Sequence, residues 1–204
     1  MPRKPANPYH HGDLRPALLE AALQMLKRTG SGSLSLREVA RQAGVSHQAP
    51  YHHFASREHL LAALATEGFD QLATQIERLQ SAARNPLEAA QETGVRYVTF
   101  AASNPERFRL MFGGEIGARA PYPDLESASR RVFALLLRPF GLARGEGRGA
   151  PNAVVLTLWS SVHGLAALAV DKQVPLTGKA LETAARAMTE RVWLGIREAV
   201  EGKM

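Results

Sequence analysis

The segment Ser35-Leu-Arg-Glu-Val-Ala-Arg-Gln-Ala-Gly-Val-Ser46 decides the fold of this chain. Ser35 followed three residues later by Glu38 is a capping-box pattern, which predicts that a short helix begins here. Gly44 ends that helix, because glycine adopts the left-handed backbone of a sharp turn at little cost. Ser46 is a second capping residue and predicts a third helix over about residues 47–54. Two short helices joined by a glycine turn are typical of a helix-turn-helix, whose second helix enters the major groove of DNA.

Helical patterns continue on both sides of this segment. Upstream, apolar residues at helical spacing from Leu14 to Leu26 predict an amphipathic helix, which Asp13 caps and Gly30 ends. Downstream, Ser56 caps a long helix that ends before Pro86. Since no segment alternates with period two, we predict an all-α fold. Its parts are an N-terminal arm with a three-helix helix-turn-helix DNA-binding domain, residues 1–61, and a helical bundle, residues 62–204, with helices near 87–103, 105–112, 124–140, 152–171 and 178–200.

Charge and composition narrow the function class. The net charge is +6, and residues 1–60 hold eight Lys and Arg against four Asp and Glu, together with six of the seven histidines. A basic N-terminal part suits a nucleic acid or an anionic membrane surface. Cysteine is absent, which excludes disulfides, thiolate metal sites and cysteine nucleophiles and fits a reducing compartment. No apolar leader follows Met1, so we expect a cytoplasmic protein.

Enzymes and membrane proteins are the two rival classes. The sequence has no Ser-His-Asp spacing, paired catalytic carboxylates or metal cluster, and the glycine-rich segment 141–151 lacks the Gly-Lys-Ser/Thr ending of a phosphate loop. We therefore predict a flexible connector there, and no catalytic residue, metal or cofactor. His52 and His53 are adjacent, so their side chains point in different directions, and no third metal ligand is evident in the sequence. We therefore predict no metal site at this pair. Residues 153–170 have the length of a membrane span but contain Thr157, Ser160, Ser161, His163 and Gly164, which predicts a buried helix of a soluble protein.

The decisive segment continues as His47-Gln-Ala-Pro-Tyr-His-His-Phe-Ala-Ser-Arg-Glu-His-Leu60, and Tyr9-His-His-Gly-Asp-Leu14 precedes it. In this order, over about residues 9–61, the chain resembles the TetR family of bacterial transcription regulators. The resemblance implies a homodimer that binds a pseudo-palindromic DNA operator. It further implies a repressor that an unidentified small-molecule effector releases, with effector binding and dimerisation in the C-terminal bundle.

The resemblance also assigns roles by position. Ser35 and Tyr51 match phosphate contacts, and Arg57 stands where the family usually has a lysine that touches the DNA backbone. Gln48 can form two hydrogen bonds with adenine. Pro50 departs from the leucine or alanine that is commonest there, which leaves the contact geometry open. Arg37 and Arg41 either contact the DNA backbone or solvate the outer face of their helix. The predicted DNA-binding residues are Ser35, Arg37, Ser46, His47, Gln48, Tyr51, His52 and Arg57.

A second resemblance lies in the C-terminal part. The stretch Trp159-Ser-Ser-Val-His-Gly164 resembles the Trp-x-x-x-His-Gly pattern of one TetR C-terminal subgroup. Trp159 and His163 share a helical face and either pack in the core or line an effector pocket. Pockets between helices are mostly apolar, so we expect a small, mostly apolar effector. The candidate pocket residues, for which a core position is the alternative, are Tyr97, Phe100, Phe108, Met111, Phe112, Phe133, Trp159 and His163.

The last predicted helix carries a seam of small and apolar residues in alternating steps of four and three. Such a seam predicts close helix-helix packing, either within the chain or between two copies. The resemblance favours a homodimer through the helices near 152–171 and 178–200. The seam residues are Leu181, Ala185, Met188, Val192, Gly195 and Ala199.

Overall fold

The computed structural model of the protein describes residues 14–142 and 153–201, with side chains up to residue 196. These residues form α-helices and short 3-10 helices without a β-strand, which confirms the predicted all-α fold. The predicted N-terminal arm, the Asp13 cap and most of the glycine-rich connector lie outside the described residues. The helices are α1 (Leu14–Thr29), α2 (Leu36–Ala43), α3 (Arg57–Ala82), α4 (Pro86–Ser103), α5 (Pro105–Phe112), α6 (Pro123–Leu137), α7 (Ala153–Val170) and α8 (Gly178–Glu201).

One continuous apolar core joins α1 at one end of the chain to α8 at the other. Helix α4 lies at its centre and packs against α3, α7 and α8. Its contact with α8 is so close that a Cβ added at Gly94 would lie 2.2 Å from the Thr189 hydroxyl oxygen. Helix α3 has 26 residues, a length of about 39 Å, and it passes residue 61 without a break. The division into residues 1–61 and 62–204 stays a prediction, and α3 belongs to both parts.

The turn between α2 and the next segment has the predicted geometry. The Ser35 hydroxyl accepts the Glu38 N–H at 3.2 Å, which caps the start of α2. Gly44 adopts the left-handed backbone, with φ 71°. The Val45 N–H then closes on the Ala40 carbonyl at 3.0 Å, as in a Schellman motif. Glycine is required here because a side chain would strain a positive φ.

The predicted third helix over residues 47–54 is wrong in type and length. The structure has a 3-10 helix, Ala49–His52. Its N-cap residue is Gln48, whose side chain forms no capping hydrogen bond. Ser46 contributes its backbone carbonyl, which accepts the Ala49 N–H at 3.1 Å, and not the predicted hydroxyl cap. The physical reason is Pro50, which has no N–H to donate to Ser46. The N–H groups of Ala49, Tyr51 and His53 therefore form the shorter i to i−3 bonds of a 3-10 helix.

The predicted helix over residues 124–140 also changes type before its end. Helix α6 ends at Leu137, and residues Arg138–Phe140 form a 3-10 helix. Pro139 cannot donate to the Leu135 carbonyl four residues earlier. The side chain of Gln80 on α3 takes that place, with its Nε2 donating to the Leu135 oxygen at 2.7 Å. The lost helical bond is thereby replaced by one that ties α6 to α3.

Helix α7 is only partly buried, which corrects the prediction of a buried helix over residues 153–170. Of the described helices, it is the one that could cross a membrane by length and composition, yet 28% of it is buried within the chain. One side packs against α4 and α8. Leu156 and Leu168 lie on the uncovered side, 42% and 45% exposed. Helix α7 therefore combines a core face with an apolar face that none of the described residues covers.

The predicted seam on α8 divides between core and surface. Leu181 and Ala185 are buried against the main core. This half of the seam therefore packs within the chain and not between two copies. Gly195 is exposed, and the neighbouring Leu194 is 52% exposed. The side chain of Ala199 lies outside the described residues. The end of α8 thus adds an uncovered apolar residue near α7.

Candidate nucleic-acid interface and ligand pocket

Residues 46–53, which we call the recognition segment, present a polar edge to solvent. Ser46, His47 and Gln48 are all exposed. Tyr51 is 51% exposed, although a large aromatic ring gains free energy from burial. His52 and His53 are exposed as well. The structure thus brings five predicted DNA-binding residues, Ser46 to Gln48, Tyr51 and His52, onto one accessible segment.

Two buried residues anchor the recognition segment. Pro50 points inward and is buried, while Phe54 is 3% exposed and belongs to the main core. The Arg15 guanidinium carbon lies 5.5 Å from the centre of the Phe54 ring, a favourable cation–π distance. The Phe54 N–H donates to the Pro50 carbonyl at 2.9 Å. Phe54 thereby ties the end of the recognition segment to the core.

Helix α2 places its predicted contacts beside the recognition segment. Ser35 is half-buried at the start of the helix, where its oxygen accepts a backbone bond while its hydroxyl hydrogen stays available as a donor. Arg37 is exposed. Arg41 donates two hydrogen bonds to a Glu38 carboxylate oxygen at 2.9 and 2.8 Å. Of the two arginines, Arg37 is therefore the better placed to bind a phosphate.

Arg57, a predicted phosphate contact, is hydrogen-bonded within the chain. Its Nε donates to the Leu34 carbonyl, and its Nη2 donates to the Ser31 carbonyl, both at 2.8 Å. The same Nη2 lies 3.5 Å from a Glu115 carboxylate oxygen. A phosphate contact would be left to the guanidinium donors that these bonds do not use, and the bonds themselves give Arg57 a structural role. No local sequence signal could have indicated this, because the partners lie 23 to 58 positions away.

The loop between α5 and α6, residues 113–122, holds the N-terminal helices to the bundle. Ser31 donates its hydroxyl to Glu115, which also faces Arg57. The ring of Tyr122 meets the ring of His59 on α3 edge-on, with centroids 5.2 Å apart. The α5–α6 loop therefore touches both the turn after α1 and the start of α3.

A cavity of about 480 Å³ lies between helices α3, α4, α5, α6 and α7. Five of the predicted pocket residues line it. Phe100, Phe108 and Met111 do not line it and are buried in the core instead. Sequence reasoning missed seven lining residues, because only a folded chain brings α3, the α5–α6 loop and α6 to one place. The lining residues are Phe69, Tyr97, Phe112, Arg119, Ser129, Arg130, Val132, Phe133, Leu136, Trp159, Ser160 and His163.

Tyr97 and His163 form a buried polar pair in the cavity wall. The Tyr97 hydroxyl lies 2.9 Å from Nδ1 of His163. Burial raises the pKa of the Tyr97 hydroxyl. Burial also lowers the pKa of His163, so its imidazole is neutral at pH 7. The ring of Phe108 stacks behind that of His163, with centroids 5.3 Å apart. Tyr97 and His163 therefore give the cavity wall polar groups but no charge.

Two family models match this chain. The model described as bacterial regulatory proteins, tetR family, matches residues 18–64. The model described as the tetracyclin repressor-like C-terminal domain matches residues 90–192, half of the chain. The first match covers the helix-turn-helix and the recognition segment. The second contains every cavity-lining residue except Phe69.

The chain is also similar to known proteins and to solved structures. An uncharacterized HTH-type transcriptional regulator of Mycobacterium tuberculosis is 29% identical over 161 residues, 76% of this chain and 69% of that protein. A solved structure of a protein with unknown function from Rhodococcus sp. RHA1 is 32% identical, with a TM-score of 0.76 over 93% of this chain and 98% of that chain. The TetR family transcriptional regulator PfmR from Thermus thermophilus shares the fold at 20% identity, with a TM-score of 0.62 over 87% and 97% of the two chains. The chain therefore belongs to the TetR family, whose members are DNA-binding transcription regulators and not enzymes, as the sequence predicts.

Proposed function

We propose that this regulator is a cytoplasmic homodimeric repressor, which two recognition segments hold on a pseudo-palindromic operator and which a small, mostly apolar effector releases. The observation that carries the proposal is the course of α3. This helix begins at Arg57, with three residues between it and the end of the recognition segment, and carries Phe69 in the cavity wall. The two positions are 12 residues apart, or about 18 Å along the helix. One rigid element thus connects the DNA-facing end to the cavity.

For DNA contact, the proposal assigns base recognition to the start of the recognition segment and phosphate contact to its flanks. Ser46, His47 and Gln48 are exposed where a groove-entering segment begins. Tyr51, His52, Ser35 and Arg37 are the proposed backbone contacts. Arg57 is left out of this set because its guanidinium is bound within the chain.

The proposed dimer interface is the uncovered face of α7 together with the end of α8. Four large apolar side chains are exposed among the described residues, and three of them, Leu156, Leu168 and Leu194, lie on these two helices. Helix α7 carries no Asp, Glu, Lys or Arg. A charge-free apolar face in contact with water is unfavourable, and a second copy of the chain covers it in the proposed dimer. Family members dimerise, which favours this occupant over a membrane.

The proposed release mechanism acts through α3 and the α5–α6 loop. An effector that fills the cavity pushes on Phe69 of α3 and on the walls next to the loop. The loop holds the start of α3 through Glu115, opposite Arg57, and through Tyr122. A shift of α3 changes the separation of the two recognition segments, which must match half-sites about 34–36 Å apart.

We also propose that the chain belongs to the C-terminal subgroup with the Trp-x-x-x-His-Gly pattern. Trp159 and His163 both line the cavity, with ring centroids 5.8 Å apart. This placement supports a role in effector binding over packing alone.

A pair of substitutions in the recognition segment tests the DNA assignment. Gln48→Ala is expected to relax base preference at one operator position, with a loss of about 1–3 kcal/mol of discrimination there. Tyr51→Phe is expected to weaken binding to all sequences evenly, because a phosphate contact carries no sequence information. Binding to a library of operator variants, followed by sequencing, measures both effects.

Gln24→Ala on α1 is the matched control, since Gln24 is an exposed glutamine outside the recognition segment. It is expected to leave affinity and sequence preference unchanged. An unaltered preference in Gln48→Ala would overturn the base contact, and full affinity in Tyr51→Phe would overturn the phosphate contact.

A further inference from the structure

Arg119 is a cation in the cavity wall without an acidic partner. It is half-buried in the α5–α6 loop and lines the cavity. Its Nη2 donates to the Met111 carbonyl at 2.7 Å, and its guanidinium carbon lies 5.2 Å from the centre of the Phe69 ring. It forms no ion pair with any carboxylate in the part of the chain that the structure describes. Burial lowers the pKa of Arg119, and no neighbouring carboxylate raises it again.

Two other partly buried arginines, Arg107 and Arg57, lie beside carboxylates. Arg107 donates to the Gln71 side chain at 2.7 Å and lies 4.0 Å from a Glu67 carboxylate oxygen. Arg57 faces Glu115. Moving a charge out of water is costly unless an opposite charge compensates it, and the partners of Arg119 are a neutral carbonyl and an aromatic ring. A ligand that brings a negative charge would remove this cost.

The rest of the cavity suits an apolar molecule. Phe69, Phe112, Phe133 and Trp159 supply aromatic walls, and the polar pair in the wall is neutral and internally bonded. Arg130, the other lining cation, already pairs with Glu126. The volume of about 480 Å³ equals the liquid volume of roughly 16 water molecules, which suits a ligand of small-molecule size.

We propose that the effector is an amphipathic carboxylate, with an apolar body between the aromatic walls and its carboxylate on the Arg119 guanidinium. The planar guanidinium has five N–H donors and matches a carboxylate with two parallel bonds. One donor group is engaged at Met111, and the others are left for the ligand. This inference rests on the proposed effector pocket and adds the charge of the ligand, which an apolar wall alone does not predict.

The position of Arg119 also couples ligand charge to the proposed release mechanism. Glu115 and Tyr122 lie in the same ten-residue loop and contact the N-terminal helices. A carboxylate that draws Arg119 into the cavity therefore acts on the loop that holds the start of α3.

Two matched pairs of probes test the proposal on the full-length protein. Calorimetry compares 2-naphthoate with 2-naphthalenemethanol and decanoate with 1-decanol, so that only the charged group changes within each pair. We expect the acid of at least one pair to bind about 10- to 100-fold tighter than its alcohol, the range for a charge-assisted hydrogen bond. Arg119→Gln should remove this preference, so that the acid and the alcohol of that pair bind with similar affinity. Arg119→Lys should keep part of it.

Arg130→Gln is the matched control and should keep the preference. Equal binding of acid and alcohol in both pairs, no binding of either acid, or a preference that survives in Arg119→Gln would overturn the proposal. The proposed function is read separately, from operator binding by the unliganded wild-type and Arg119→Gln proteins, which should both bind DNA. Failure of the wild-type protein to bind DNA would overturn the proposed function, whatever the probes show.

Discussion

Replacing Leu156 and Leu168 by glutamate is expected to convert the dimer to a monomer and to weaken operator binding by about 100- to 10,000-fold. The range is the gain in avidity when two binding modules act as one. Each glutamate would place a charge in the apolar centre of the interface, where no partner compensates its desolvation. Both leucines are substantially exposed in the single chain, so the monomer should keep its fold. Analytical ultracentrifugation measures the mass, and fluorescence anisotropy with operator DNA measures the affinity.

A charge-matched control separates dimerisation from simple repulsion by DNA. Ala102→Glu with Ser127→Glu adds the same two negative charges at exposed positions on α4 and α6. This variant should remain a dimer and lose little affinity. If the Leu156→Glu, Leu168→Glu protein stays dimeric, the interface lies elsewhere on the chain.

Phe54→Ala is expected to lower the free energy of unfolding by about 3–5 kcal/mol, the range for truncating a buried phenylalanine. Phe54 belongs to the main core and directly follows the recognition segment. A cavity at this position removes the anchor that holds the 3-10 helix in place, so operator binding should fall as well. Urea unfolding followed by circular dichroism measures the stability, and anisotropy measures the binding.

Two further variants test whether the anchor is the cause. Phe54→Leu keeps most of the apolar volume and should cost less than about 1.5 kcal/mol. Tyr51→Ala removes an exposed ring in the same segment and should change stability by only about 0.5 kcal/mol, while it weakens DNA binding. A loss below about 1 kcal/mol in Phe54→Ala, well under the range for a buried phenylalanine, would show that the recognition segment is held by other contacts.

Local sequence signals predicted most of the helix ends. Ser35, Gly44 and Ser56 each act through a neighbour within a few residues, and the structure confirms all three. Pro50 also acts locally, but the helix predicted around it is longer than the one in the structure. The sequence predicts a helix over residues 47–54, whereas the missing donor leaves a 3-10 helix of four residues, Ala49–His52.

The cavity and the fixed position of Arg57 could not be predicted in this way. Aromatic spacing identified Tyr97, Phe112 and Phe133, but the same spacing also selected Phe100 and Phe108, which pack in the core. Periodicity reports which face of a helix is apolar, not whether the space opposite that face is filled.

The position of Arg119 in the cavity wall could not be predicted from the sequence either. It has no helical pattern around it, and only the folded loop brings it beside Phe69 on α3. The exposed face of α7 is a related case, because an apolar sequence is equally consistent with burial by the same chain or by a second copy.

Selection of genomic fragments by the purified protein, at low and at physiological salt, is the most direct test of operator recognition by a dimer. We expect enriched fragments that share an inverted repeat, with half-site centres one or a whole number of helical turns of about 10–10.5 base pairs apart. Enrichment of unpaired half-sites, or no enrichment over random fragments even at low salt, would contradict dimeric recognition of an operator.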